Sequence, residues 1–221
     1  MSIEPSQIIR SRRKSVALIV RTSGELIVRA PFLTPLAEIR ALIVRKEPWI
    51  RKKQADAEAA SNHFRALCGV DGEAFSFLGA EVTVHRTAVS VPKLENGILY
   101  LPLSPEGQEG LRRFLKRAAL NVMRERTQYW VAQMGLPCSG VHITSARTRW
   151  GSCSPKNGLN FSFRLVLCPP AAVDYVVVHE LCHILHKNHG RAFYDAVATV
   201  LPDWPARQLL LRENHHLMNV I

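Results

Sequence analysis

The sequence predicts an α+β protein in which a small, mostly β amino-terminal unit with helices precedes a second unit built on longer helices. Three observations predict this class. Short runs rich in Val, Ile and Leu, separated by Gly-containing turns, recur through the first hundred residues. A long amphipathic helix follows, and another helix begins near residue 171 after two short strands. We place the units at residues 1–104 and 105–221, and a hydrophobic content of 47% is enough to bury a substantial core.

The amino-terminal unit is predicted to begin with a β-hairpin. Ser15 to Arg21 and Glu25 to Ala30 are strand-like, and Thr22-Ser23-Gly24 supplies the turn between them. Apolar residues at helical spacing then predict a helix from near residue 35, which Pro48 breaks or restarts. Two more strands are expected before the second unit, at Ala74 to His85 and at Ile98 to Leu103.

The second unit is predicted to begin with a long helix. The pattern changes around Ser104-Pro105-Glu106, and the helix runs to about Met134. Its apolar face is marked by Leu111, Leu115, Ala118 and Val122. Short strands are expected at Val141 to Ser145 and at Leu159 to Leu167, and Pro169-Pro170 then gives way to a helix that starts near Ala171.

Charge and composition restrict the partners and the compartment. The chain carries 29 Lys and Arg against 18 Asp and Glu, a net charge of +11, which favours weak, salt-sensitive association with anionic partners such as nucleic acid. No apolar run approaches the ~20 residues of a membrane span, and the start MSIEPSQIIRSRRKS has no apolar signal segment. Five cysteines without a CxxC spacing are typical of reduced thiols. We therefore expect a cytoplasmic protein with no membrane partner.

The most informative segment is His179-Glu180-Leu181-Cys182-His183, an HExxH pattern inside the predicted helix. Residues four apart lie on one face of a helix, so His179 and His183 can bind the same metal ion. Glu180 then lies beside the ion, where its carboxylate can take a proton from water. The apolar run Val176 to Val178 precedes the pattern, as expected of a buried active-site helix. The segment predicts a metal centre with Glu180 as catalytic base.

A third ligand is expected among the histidines that follow. His186 continues the face of His179 and His183, but at ~1.5 Å of rise per residue it lies about 10 Å along the axis from His179, too far for one ion. His189 becomes a ligand if the chain turns after His186, and the segment from Lys187 to Gly190 contains residues that tolerate left-handed backbone. We predict a site of His179, His183 and His189, with a fourth position open to water as at a catalytic zinc.

Side chains upstream of the HExxH helix are candidates for holding a substrate. Arg147 and Arg149 can stabilise an oxyanion or a phosphate, although a structural salt bridge is an equal alternative for each. His142 is a further candidate donor. Trp150 directly follows Arg149, and we include it with the two arginines as a substrate-binding residue. Tyr175 lies one turn before His179, where a packed side chain is more common than a donor.

These residues together resemble a known family. The resemblance is carried by Arg149-Trp150-Gly151-Ser152-Cys153-Ser154, Asn160, Asp174-Tyr175, His179 to His183, and Asn188-His189-Gly190 with Phe193. It is to the YgjP-like family of metal-dependent hydrolases, relatives of the SprT-like zincins. It covers nearly the whole chain and is most specific over residues 147–193. It implies a zincin-like domain at 105–221, in which the HExxH helix packs on a short antiparallel sheet and carries zinc on the three histidines.

The sequence is compatible with more than one class of substrate. HExxH most often accompanies peptide hydrolysis, so a zinc metallopeptidase is the first hypothesis. The resemblance also implies an alternative, because part of the family is associated with nucleotide pyrophosphatase activity on nucleoside triphosphates. A third hypothesis is a nucleic-acid-associated module with structural zinc, since residues 1–60 carry 12 Lys and Arg against 6 Asp and Glu. Another divalent metal can replace zinc in any of these, and the sequence does not indicate an oligomeric state.

Overall fold

The computed structural model describes residues 3–21, 24–62, 66–104 and 107–221 of the chain. It is an α+β protein, which confirms the predicted class. The chain forms two compact units, Met1–Arg65 and Ala66–Ile221. The predicted turn at Thr22-Ser23 and the predicted helix start at Pro105-Glu106 lie outside the described residues.

The first unit is a three-stranded sheet with two helices. Its strands are β1 (Gln7–Ser11), β2 (Ala17–Val20) and β3 (Leu26–Pro31), and its helices are α1 (Leu36–Arg45) and α2 (Glu47–Asn62). The predicted pairing of β2 with β3 is antiparallel, and β1, a strand that the sequence pattern does not predict, lies parallel to β3 on its other side. The predicted helix break falls at Lys46, two residues before Pro48. The core consists of Leu26, Val28, Ala30, Ile39, Ile43 and Ile50.

The second unit begins with a four-stranded sheet. Its strands are β4 (Ala74–Phe77), β5 (Ala80–Thr87), β6 (Lys93–Glu95) and β7 (Ile98–Pro102), in the order β4-β5-β7-β6. The predicted domain boundary at residue 104 therefore falls inside this unit. The reason is tertiary packing: β7 contacts the long helix α3 (Gly107–Met134), and the backbone N–H of Leu78 donates to the carbonyl of Val166 at 2.8 Å.

A second, smaller sheet lies beside the HExxH helix. Its strands are β8 (Gly140–Thr144), β9 (Gly151–Cys153) and β10 (Gly158–Ser162), in the order β8-β10-β9. This sheet is mixed rather than antiparallel, because β10 pairs with β8 in parallel and with β9 in antiparallel fashion. The strand predicted over Leu159 to Leu167 ends at Ser162, and Phe163–Leu167 is a buried 3₁₀ helix.

The remaining helices pack against α4 (Pro170–Leu185), which carries the HExxH segment. They are α5 (Arg191–Val200) and α6 (Trp204–Glu213), and a 3₁₀ helix follows at Asn214–Asn219. Asp174 on α4 ties three helices together. Its carboxylate accepts two hydrogen bonds from Arg126 at 2.7 and 2.9 Å and one from Trp130 at 3.0 Å, both on α3, and Arg207 of α6 lies 3.9 Å away.

None of the helices in the described part of the chain is both long and apolar enough to span a bilayer.

Candidate metal centre

Helix α4 places the two HExxH histidines on one face. It begins at Pro170, where the missing N–H costs nothing because a first-turn N–H has no partner in the helix. Its middle is buried, as the apolar run Val176 to Val178 predicts. The ring centroids of His179 and His183 lie 5.0 Å apart, one helical turn from each other.

The chain turns sharply after α4 and brings His189 back to the first two histidines. His186 is extended (φ −127°, ψ 106°), which ends the helix. The Nε2 atoms of His189 and His179 then lie 3.0 Å apart, and the potential ligand atoms of the three histidines all fall within 4.8 Å of one another. The predicted turn is present, but the expected left-handed backbone is not: no residue from Lys187 to Gly190 has a positive φ.

The predicted exclusion of His186 from the ligand set agrees with the cluster, which contains the other three histidines. His186 contributes its backbone instead. Its carbonyl lies 3.0 Å from Nδ1 of His183, and because a carbonyl can only accept, Nδ1 carries the proton. The lone pair of His183 is therefore on Nε2. A hydrogen bond from the ring nitrogen that does not bind the metal commonly fixes the ring orientation of a metal-binding histidine.

The ring of Phe193, on the first turn of α5, touches all three imidazoles. Its centroid lies 4.8 Å from His179, 4.7 Å from His183 and 4.8 Å from His189, and its side chain is fully buried. Phe193 belongs to the pattern that carries the family resemblance, but the sequence alone predicts no role for it. The contact depends on how α5 packs against α4, which spacing along the chain does not reveal.

Burial favours the neutral form of two of the three imidazoles, those of His179 and His183. Burial, and then the neighbouring His183 and His189, lower the pKa of His179 to about 4. Burial also lowers the pKa of His183. Neutral imidazole is the form that binds metal. The separation of 3.0 Å between two Nε2 atoms is close to the roughly 3.3 Å between nitrogen ligands of a tetrahedral zinc. The residues therefore fit a zinc ion.

Glu180 is buried against strand β9. Its side chain is 6% exposed, and burial raises the pKa of its carboxyl to about 7. Two weaker effects oppose this shift: the positive charge of Arg149 and a hydrogen bond from the backbone of Cys153. Gly151 makes room for the carboxylate, since a Cβ atom at that position would lie 2.6 Å from Oε1 of Glu180. Gly151 also belongs to the pattern that carries the family resemblance, and the sequence alone predicts no role for it.

A comparison with family models identifies the family of this chain. The model described as "YgjP-like, metallopeptidase domain" matches residues 14–214. The chain belongs to the YgjP-like family. The assignment confirms the resemblance carried by the HExxH segment and the residues around it, and it makes the chain a metal-dependent hydrolase. Comparisons with curated proteins and with solved structures gave no match.

The predicted substrate-binding residues of this YgjP-like chain occupy different environments. Arg149 is exposed and close enough to Glu180 to affect its pKa. Arg147 donates to the carbonyl of Ile221 at 3.4 Å. Trp150 is 8% exposed, with its ring edge-on to His215 at 6.5 Å.

Tyr175 and His142 also lie in different environments. Tyr175 is buried and accepts a hydrogen bond from Gln208 at 2.9 Å, as expected of a packed tyrosine. His142 is exposed on β8. Among these upstream side chains, Arg149 is the one whose charge affects the pKa of Glu180.

Proposed function

We propose that this protein is a zinc-dependent peptidase with Glu180 as its catalytic base. The proposal rests on one observation: His179, His183 and His189 bring their ring nitrogens together while the buried carboxylate of Glu180 extends from the same helix. Within the described residues this cluster has three potential ligands and no fourth. Three protein ligands leave a position for water, as in catalytic zinc sites. This favours an enzyme over a nucleic-acid module with structural zinc.

The chain's own residues supply the proton transfer. A zinc ion bound to the three histidines would polarise the scissile carbonyl and make water a stronger nucleophile at neutral pH. Glu180 accepts the proton that the attacking water loses and returns it to the leaving amine. In the metal-free site burial raises the pKa of this carboxyl to about 7, and a bound cation would favour its charged form, which is the form that acts as a base. The hydrogen bond to the carbonyl of His186 keeps the ring of His183 in place throughout.

Strand β9 favours a peptide as the substrate. It is the outermost strand in the order β8-β10-β9, and Gly151 on this strand lies against Glu180. An extended peptide can add to such an edge through main-chain hydrogen bonds. A peptide that pairs with β9 passes beside the carboxylate of Glu180, where the water attacks.

A second candidate, hydrolysis of nucleoside triphosphates to release pyrophosphate, is favoured by Arg149. This exposed guanidinium lies near Glu180. Arginine binds phosphate oxygens with paired hydrogen bonds. The net charge of +11 also suits a polyanionic substrate better than a neutral peptide.

Parallel assays on the zinc-loaded protein separate the two candidates. One assay measures cleavage of casein and of a fluorogenic peptide mixture, and the other measures pyrophosphate and phosphate release from the four nucleoside triphosphates. Glu180→Gln removes the base, and Glu81→Gln, an exposed position on β5, makes the same charge change elsewhere. We expect peptide cleavage that Glu180→Gln abolishes and Glu81→Gln preserves. Triphosphate hydrolysis with that pattern, without proteolysis, would overturn the peptidase in favour of the second candidate.

A further inference from the structure

The positive charge of the chain is concentrated in its first unit. Residues 1–65 contain 13 Lys and Arg against 6 Asp and Glu, whereas residues 66–221 contain 16 against 12. The shorter unit therefore carries the larger net charge, +7 against +4, although the metal centre belongs to the other unit. Excess charge of this kind attracts an anionic partner.

An open groove in this unit runs between strand β2 and helices α1 and α2. It consists of two adjoining cavities of about 430 and 220 Å³, which share Val16 and Leu42 in their walls. Leu18 extends the apolar wall on the strand side. A ligand in the groove therefore meets the apolar side chains of Val16, Leu18 and Leu42.

The far wall of the groove combines an aromatic ring with cations. Trp49 is 42% exposed and lines the smaller cavity together with Lys46, and Arg45 lines the larger one. Both cations are exposed, and neither forms an ion pair with a described acidic residue. One acidic residue, Glu38, lines the groove. The walls thus offer a flat ring for stacking and two charges for phosphates.

We propose that this groove binds single-stranded nucleic acid. Sites for single strands combine a cationic track for the backbone with aromatic faces on which bases stack, and the apolar floor with Trp49, Arg45 and Lys46 has both. A duplex keeps its bases stacked on one another and cannot place them on Trp49. An acidic peptide would use the cations but gain little from the exposed ring.

The test measures binding of a fluorescently labelled 12-nucleotide oligo-dT to the full chain by anisotropy, as a function of salt. The groove variants are Trp49→Ala and the pair Arg45→Gln with Lys46→Gln. The matched control removes two exposed cations that do not line the groove, with Arg29→Gln and Arg40→Gln. Circular dichroism confirms that each variant is folded, and poly-glutamate and a duplex of equal length serve as competing ligands.

We expect Trp49→Ala to weaken binding by about tenfold, because stacking of one base is lost. The groove pair should flatten the dependence of log Kd on log salt by about 1.4, roughly 0.7 for each phosphate contact, and the control pair should do so less. Equal effects of the two pairs, or no binding at low salt, would overturn the proposal. Groove-dependent binding of poly-glutamate in preference to oligo-dT would also overturn it and would identify an acidic peptide as the ligand. Glu180→Gln should bind oligo-dT as the parent does, so the result is independent of the proposed peptidase.

Discussion

Gly151 on strand β9 lies directly against the side chain of Glu180 on helix α4. A Cβ atom at residue 151 would lie 2.6 Å from Oε1, 2.7 Å from Cγ and 2.9 Å from Cδ of Glu180. Contacts this short force one of the two groups to move. The position of the proposed catalytic carboxylate therefore depends on the absence of a side chain on the neighbouring strand.

Gly151→Ala should reduce hydrolysis while leaving zinc binding intact. The three atoms nearest to the new methyl group all belong to Glu180, so it displaces that carboxylate first, and we expect kcat to fall on the order of 100-fold, as for other small misplacements of catalytic groups. The measurement is steady-state peptide cleavage beside zinc content. Gly190→Ala is the matched control, because a Cβ atom there meets nothing within 4 Å. Equal activity of the two variants would show that Glu180 needs no such space.

Glu180→Gln should stabilise the zinc-free protein at alkaline pH. The folded carboxyl has a pKa of about 7, above its ordinary 4.5, so the folded chain holds this proton more tightly and the parent loses stability as pH rises from 4.5 to 7. Glutamine carries no charge to bury. We expect the variant to gain on the order of 3 kcal/mol in free energy of unfolding at pH 8 and little at pH 4.5. Urea unfolding at both pH values measures this, and a gain that does not grow with pH would contradict the burial of a charged carboxylate.

Phe193→Leu should weaken zinc binding. The Phe193 ring touches all three imidazoles, and leucine preserves the apolar character but not the flat surface against which they pack. Changes to groups that orient metal ligands typically cost about 10- to 100-fold in affinity, and we expect the lower end. A competition titration with a chromogenic chelator measures the affinity. Val197→Ala, a buried change on the same helix, controls for general destabilisation, and an equal loss there would contradict a specific role for the ring.

Asp174→Ala should destabilise the second unit. This carboxylate is 14% exposed, and it accepts hydrogen bonds from Arg126 and Trp130 across the α3–α4 contact. Losing charged hydrogen bonds in a partly buried site should cost about 2 kcal/mol, which thermal or urea unfolding detects. Asp203→Ala removes a carboxylate that pairs with Arg207 on the surface and should have a much smaller effect. Similar losses in the two variants would mean that the buried network adds little.

The sequence predicts the histidine cluster well because local geometry determines most of it. The helix fixes the spacing of His179 and His183. His189 can join them as a ligand if the chain turns after His186. The contacts of Phe193 and Gly151 are not predictable in this way. They depend on how α5 and β9 pack against α4, and residue spacing along the chain carries no information about that packing.

The dependence on tertiary packing also explains where the observed fold differs from the predicted one. Phe163 to Leu167 is almost fully buried, and four of its five residues are apolar, so no periodicity distinguishes a strand from a 3₁₀ helix. The parallel pairing of β8 with β10 joins strands with β9 between them in the chain, and a pattern of apolar residues does not set strand direction. The two compact units divide after Arg65, and residue 104 lies within the second of them, where β7 contacts α3 and β4 contacts the 3₁₀ helix at Phe163–Leu167.

The most direct test compares zinc binding by the parent, His189→Ala and His186→Ala, using equilibrium competition with a chelator and metal analysis of each dialysed protein. We expect one zinc per parent chain. His189→Ala should lose it, whereas His186→Ala should retain it, because His186 acts through its backbone carbonyl. A parent that binds no zinc, or a His189→Ala variant that binds it as tightly as the parent, would contradict the three-histidine metal centre.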